Sequence, residues 1–184
     1  MCILTAIGAA MSAEAKTPRQ MFETMPTELH IANAPAQLDS ISPNTMRYKA
    51  ADGTTMEITS TGTAGASAPL FCLLTTRSTP EPETTCDIYT QDWQKVKSIS
   101  LAPFTASLTA KPDTMDVAEY GRRLRLIELP LVEAHFTSKA PATLELTLHV
   151  PLLGKEDKQR MKAILVRKEC KMDGNGLHIV DQNQ

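Results

Sequence analysis

Two runs near the C-terminal half, Leu131-Val-Glu-Ala-His-Phe-Thr and Thr143-Leu-Glu-Leu-Thr-Leu-His-Val, alternate apolar and polar residues and are separated by Ser138-Lys-Ala-Pro. A period of two belongs to a pleated strand with one face buried, and two such runs around a short turn make an antiparallel hairpin. With the turn centred near Lys139 and Ala140, one face carries Val132, Ala134, Phe136, Leu144, Leu146, Leu148 and Val150. The other carries Glu133, His135, Thr143, Glu145, Thr147 and His149, with His135 directly across from Glu145. A sheet with so continuous an apolar face must be covered by another layer.

The rest of the chain supplies candidates for that layer. Asp52-Gly53 separates Met46–Ala50 from Thr55–Ser60, a hairpin whose turn needs positive φ. Leu70–Thr76 and Thr85–Gln91 are two further strands joined by Ser78-Thr-Pro-Glu-Pro-Glu, a register that sets Cys72 opposite Thr90 or a near neighbour. Val96–Leu101 begins the next strand, which makes the Trp93 region a corner. Pro18–Met25 spaces Met21, Phe22 and Met25 as a short amphipathic helix. Ala36–Ile41, between Pro35 and Pro43 with Leu38 and Ile41 on one side, is expected to be a second. A helical pattern around Asp113–Tyr120 precedes Gly121-Arg-Arg-Leu-Arg, which interleaves with Leu124, Leu126 and Leu129 as a strand with a basic face. Gly154–Leu165 places acids early and bases late, as a helix complementing its dipole does, and a terminal hairpin turns at Asp173-Gly-Asn-Gly. The expected fold class is α+β: a mostly antiparallel twisted sheet with short N-terminal helices and one later helix packed on it.

A length of 184 residues at 42% hydrophobic content is enough for one sizeable core. The expected organisation is a signal peptide over residues 1–15 and a single α+β domain over 16–184. Ile3–Ala13 is apolar and built of small residues, and Ala13-Glu-Ala matches an A-x-A cleavage site, although the usual basic start is missing. The apolar run is too short to span a bilayer, so no integral membrane segment is expected after leader removal. The compartment implied is the periplasm or cell envelope. Basic and acidic residues nearly cancel, 19 against 21, and aromatics make up 4%, a balance that argues against nucleic acid as a partner.

The chemistry-bearing residues are few. Glu133, His135, Glu145 and His149 share the polar face of the hairpin and could form an acid/base cluster or, alternatively, a solvated sheet face. Arg122, Arg123 and Arg125 could grip an anion. Leader removal leaves Cys72, Cys86 and Cys170, an odd number in a compartment that permits disulfides, and Cys72 and Cys86 flank one loop closely enough to pair. Neither a Cys-x-x-Cys pair nor a His-x-x-x-His spacing occurs, nor a phosphate or dinucleotide loop, so no metal and no cofactor is expected. Tyr89 and Trp93 are read as structural anchors of a strand corner, the indole N–H needing an acceptor nearby.

The opening Phe22-Glu-Thr-Met25-Pro26, the segment Ala36-Gln-Leu-Asp-Ser-Ile and the strand end Tyr89-Thr-Gln-Asp-Trp93 occur in that order. In this the chain resembles a Bacteroidales family of small exported proteins of unknown function. That family also carries an aromatic residue in the C-terminal hairpin, where this chain has Cys170 and Met172. The resemblance implies an envelope protein and carries over no catalytic residue.

Together these features point to an exported envelope protein that binds an unidentified ligand or envelope protein without catalysis. A hydrolase using Glu133, His135 and Glu145, and a structural or assembly factor presenting an edge strand, are the alternatives. Export makes a direct prediction. Mass spectrometry of the native protein should find Lys16 or a neighbour as its first residue, and an intact Met1 would sink the reading.

Overall fold

The computed structural model describes residues 15–29, 37–62, 69–78, 80–138, 142–173 and 176–180. Two antiparallel sheets organise it. The larger has six strands in chain order: β1 (Gln37–Ser42), β2 (Thr45–Lys49), β3 (Thr55–Ser60), β4 (Leu70–Arg77), β5 (Glu83–Thr90) and β6 (Lys95–Ile99). The smaller has four in the order β10 (Leu177–Ile179), β9 (Lys168–Met172), β8 (Thr143–His149), β7 (Leu131–Phe136). The helices are short: α1 (Pro18–Glu23), α2 (Val117–Leu124) and α3 (Lys155–Met161). The α+β class expected from the sequence is the class observed.

The hairpin of β7 and β8 has the expected register, with His135 opposite Glu145 and Phe136 opposite Leu144. Its apolar face is buried along its whole length, from Val132 to Val150. That face packs on Cys72, Leu74, Cys86 and Ile88 of β4 and β5, so the two sheets share one core, which Cys170 and Met172 of β9 extend. The opposite face of the larger sheet carries a second core of Met46, Tyr48, Met56, Ile58, Phe71 and Leu73, closed by Met21 and Met25 from the α1 segment. α1 is started by Thr17, whose side chain accepts from the Gln20 amide while the Gln20 side chain reaches back to the Thr17 amide. Burial on both faces explains why β4 reads as a nearly unbroken apolar run rather than an alternating one.

Several local expectations need correction. The helix expected over Ala36–Ile41 is not observed in its described part: Gln37–Ser42 is β1, hydrogen-bonded to β2, and Pro43-Asn44 is the turn between them. Pairing with a neighbour overrides the weak three-residue spacing of Leu38 and Ile41. The helix expected around Asp113 starts later, at Val117 behind an Asp116 cap, and runs through Gly121-Arg-Arg-Leu. The basic segment is therefore helical and not a strand. α3 stops at Met161, short of Leu165, which instead bridges to Thr109. The β4–β5 hairpin is tighter than expected, with Arg77 opposite Glu83, so that Leu70 faces Thr90 and Cys72 faces Ile88.

The Asp52-Gly53 turn follows expectation. Gly53 has φ of 84° and Asp52 accepts from the Thr54 amide. The corner at Trp93 is more unusual, because a tryptophan adopts φ of 60° there. Thr90 supports that conformation by accepting from the amides of Asp92 and Gln94 through its hydroxyl and from the Trp93 amide through its carbonyl. The indole packs edge-on against Tyr89 with ring centroids 5.3 Å apart. The acceptor expected for the indole N–H is absent among the described residues.

Candidate functional site

β7 is an edge strand of the smaller sheet, and its outward backbone groups must find partners. Side chains of the larger sheet provide them. Thr84 of β5, itself 2.7 Å from the Thr76 hydroxyl, accepts from the Ala134 amide at 2.9 Å. Glu57 of β3 accepts from the Phe136 amide at 2.7 Å through one carboxylate oxygen. Its other oxygen receives Arg47 Nε at 2.7 Å and lies 3.0 Å from His135 Nδ1. Glu57 is almost wholly enclosed, with its side chain 2% exposed.

From Glu57 an alternating chain of carboxylate and imidazole side chains runs across the junction. His135 Nε2 meets Glu133 at 2.7 Å, and the second oxygen of Glu133 meets His149 Nε2 at 2.8 Å. His149 Nδ1 lies 3.7 Å from Glu81, which also pairs with Lys158 of α3. The network thus ties β2, β3, β7, β8, the β4–β5 loop and α3 together. Both ring nitrogens of His135 face carboxylate oxygens, an arrangement that only the doubly donating imidazolium satisfies. The hydrogen bond to Glu57 accordingly raises the His135 pKa against the opposing effect of burial, with Glu133 adding to the rise. At Glu133 burial alone would raise the pKa, but the hydrogen bonds from His135 and His149 outweigh it and lower it.

The structure brings Glu133, His135 and His149 together and leaves Glu145 out. Although Glu145 is across from His135 in register, its carboxylate turns to Arg167 at 3.1 Å. The polar face is also drier than expected, because Glu133, His135, Thr147 and His149 are half-buried and Thr143 is buried. Arg47, Glu57, Glu81 and Lys158 went unread in the sequence. One signal was available for two of them: the Asp52-Gly53 turn sets Arg47 directly opposite Glu57. Arg122 and Arg123 are both held by Glu119, at 2.7 Å and 2.8 Å, and Arg123 also donates to the Arg160 carbonyl, which leaves Arg125, the C-cap of α2, as the uncommitted one of the three among the described residues. Cys72 and Cys86 are free thiols with sulfurs 3.5 Å apart. Among the described residues no group of three or more His, Cys, Asp or Glu is arranged to hold a metal ion.

Two open spaces lie elsewhere, on either side of β5. A cleft of about 470 Å³ opens where β6 and the start of β7 diverge. Cys86, Ile99, Leu101 and Val132 give it an apolar lining, and Asp87, Lys95 and Ser98 line it with polar groups. Asp87 accepts from Ser98 at 2.7 Å and pairs with Lys95 at 2.8 Å, which fixes that polar corner in place. A second groove of about 400 Å³ lies on the outer face, with Asp52, Arg77, Asp87 and Tyr89 among its residues.

The described fold, then, is a two-sheet α+β protein with an acid–histidine cluster at the sheet junction and two clefts that flank β5. The chain belongs to the family described as "Protein of unknown function (DUF3256)", which is matched over residues 29–173. That range includes Tyr89 and Trp93 and begins after Phe22, Met25 and Pro26. Among solved structures the chain is similar to a domain of an uncharacterized protein from Porphyromonas gingivalis W83, a member of the Bacteroidales. The identity is 15%, the TM-score 0.57, and the match covers 80% of this chain and 81% of that one, a likeness of fold. No curated protein matches the chain.

Two measurements test the network. Glu57→Ala leaves Arg47, His135 and the Phe136 amide without their acceptor, and should cost about 3–5 kcal/mol in urea unfolding; a loss under about 1 kcal/mol would show that the cluster pins nothing. A raised His135 pKa gives stability that is full below its ordinary 6.5 and is lost as pH climbs through the raised value. A lowered Glu133 pKa gives stability that is full above its ordinary 4.5 and is lost as pH falls through the lowered value. The cluster's contribution should therefore peak between pH 4.5 and 6.5. Above that window the gap in unfolding midpoint between wild type and His135→Asn should shrink; a gap that stays constant to pH 9 would contradict the assignment.

Proposed function

We propose that this is an exported cell-envelope protein that binds a small ligand of mixed apolar and polar character, without catalysis, in the cleft between β5, β6 and β7. The observation that carries the reading is the cleft itself. At about 470 Å³ it falls within the 300–1,000 Å³ range of small-molecule sites, and it sets an apolar lining beside the prearranged Asp87, Lys95 and Ser98 group. Export is supported by the apolar Ile3–Ala13 run and the A-x-A boundary at Ala13–Ala15.

Two geometric facts weigh against the hydrolase alternative. A general base needs a free lone pair facing the substrate, and both nitrogens of His135 are committed to carboxylates. None of the residues Glu133, His135, Glu145 and His149 lines the cleft. The assembly-factor alternative needs an inviting sheet edge. β7 is capped by Glu57 and Thr84, and β6 carries Lys95 and Lys97, the kind of residue that discourages strand addition.

The test is retention of ligand by the native protein. Full-length protein purified from its own source should release a bound small molecule on denaturation. Ser98→Phe, at an exposed position on the cleft rim, should lower the retained amount at least about tenfold at unchanged Tm. Wild-type protein that carries no small molecule, or a variant that carries as much as wild type, would overturn the reading. Retention of a polypeptide instead would favour a protein partner.

A further inference from the structure

Cys72 and Cys86 sit on adjacent central strands, on the face that meets the smaller sheet, at 0% and 1% exposure. The ladder pairs Cys72 with Ile88 and Cys86 with Leu74, so the two cysteines are diagonal neighbours. Their sulfurs are 3.5 Å apart. A disulfide spans about 2.05 Å, so closing the bond asks each sulfur to move about 0.7 Å, a side-chain adjustment with a small drawing-in of two strands that are already paired. Cys170 belongs to the same core but makes no sulfur contact with either among the described residues.

We infer that Cys72 and Cys86 are a disulfide-forming pair that closes while the chain is folding in an oxidising compartment, leaving Cys170 as a thiol. In the cell this rests on the export reading. The chemistry is two exchanges with a donor disulfide, carried by a thiol–disulfide oxidoreductase of the envelope or, in the test tube, by oxidised glutathione. The thiolate of one cysteine attacks the donor disulfide, forming a mixed disulfide and expelling one donor sulfur as thiolate. The thiolate of the second cysteine then attacks the mixed disulfide at the protein sulfur and expels the other donor sulfur. The pair loses two protons and two electrons; the donor gains both and leaves as two thiols.

Folding sets the time at which this can happen. Both sulfurs are sealed in the inter-sheet core, and burial, with the neighbouring Cys86 thiol adding to it, pushes the Cys72 thiol far from its reactive form. Exchange therefore belongs to the unfolded chain or the nascent β4–β5 hairpin. Once the second sheet has docked, whichever redox state was present is retained. Cys170, its thiol pushed up to about 11 by burial, stays unreactive.

The experiment uses the full chain, unfolded and refolded in parallel with reduced glutathione and with a mixture rich in oxidised glutathione. Peptide mapping after alkylation in denaturant should find Cys72 joined to Cys86 in the oxidised arm, with Cys170 alkylated. The cross-linked form should melt about 5 °C or more above the reduced form, a difference that Cys86→Ala removes. Natively folded reduced protein held in the same mixture should keep both thiols. An oxidised arm with both thiols alkylated, a bond to Cys170, or a cross-linked form that melts lower would each overturn the inference. The export reading fails separately: an intact Met1 on native protein would overturn it and, with it, formation of the bond in the cell, whereas cleavage before Lys16 together with free Cys72 and Cys86 would overturn this inference alone.

Discussion

The fold depends on how the unpaired edge of β7 is satisfied. The strand has β8 on one side and, on the other, the face of a foreign sheet, where a row of unmet amides would be costly. Glu57 meets that need by carrying a charge into the interior. One oxygen accepts from the Phe136 amide and the other is balanced by Arg47 and His135. Thr84 does the same for Ala134 with a neutral group. The docking angle of the smaller sheet is thus set by directional bonds to two side chains, while the apolar contacts among Leu74, Cys86, Ala134 and Leu146 supply the non-directional part of the attraction.

This arrangement divides the molecule's polar groups by role. The polar residues at the sheet junction bond to one another and hold elements together, so the shifted pKa values of Glu133 and His135 follow from packing. Perturbed titration marks functional sites often, but ion-pair networks perturb it as well. The polar groups of the cleft, Asp87, Lys95 and Ser98, lie instead around β5, where β6 pairs only from Cys86 onward and the earlier part of the strand is left uncovered on that side. The cleft exists because β6 stops at Ile99 and the chain turns away through Leu101.

What could be read in advance follows from the range of the forces involved. The β7–β8 register was legible because alternation and a short turn are local, and the β2–β3 hairpin for the same reason. β1 was misread because two prolines and a three-residue apolar spacing suit a short helix as well as a strand, and only the pairing with β2 decides. The arginine segment was misread because Leu124, Leu126 and Leu129 suggest alternation, while the Asp116 cap that starts the helix lies upstream of it. Glu57 was invisible as a buried residue because a carboxylate in a Thr-Met-Glu-Ile-Thr strand looks like one facing water. Its partners on β7 are 78 and 79 positions away. The acid–histidine cluster was half legible: three of its members share a hairpin, and the rest arrive from other elements.

The corner at Trp93 has an optical consequence. The chain contains one tryptophan, and its indole packs into the outer layer with Tyr89, on the side of the larger sheet that α1 covers. Its emission is therefore a local gauge of that layer. Undocking of the smaller sheet, on the far side of β4 and β5, would leave the fluorophore's surroundings intact. A fluorescence melt would then follow that layer, a far-ultraviolet circular dichroism melt would follow the secondary structure of both sheets together, and their coincidence would test how tightly the two cores are coupled.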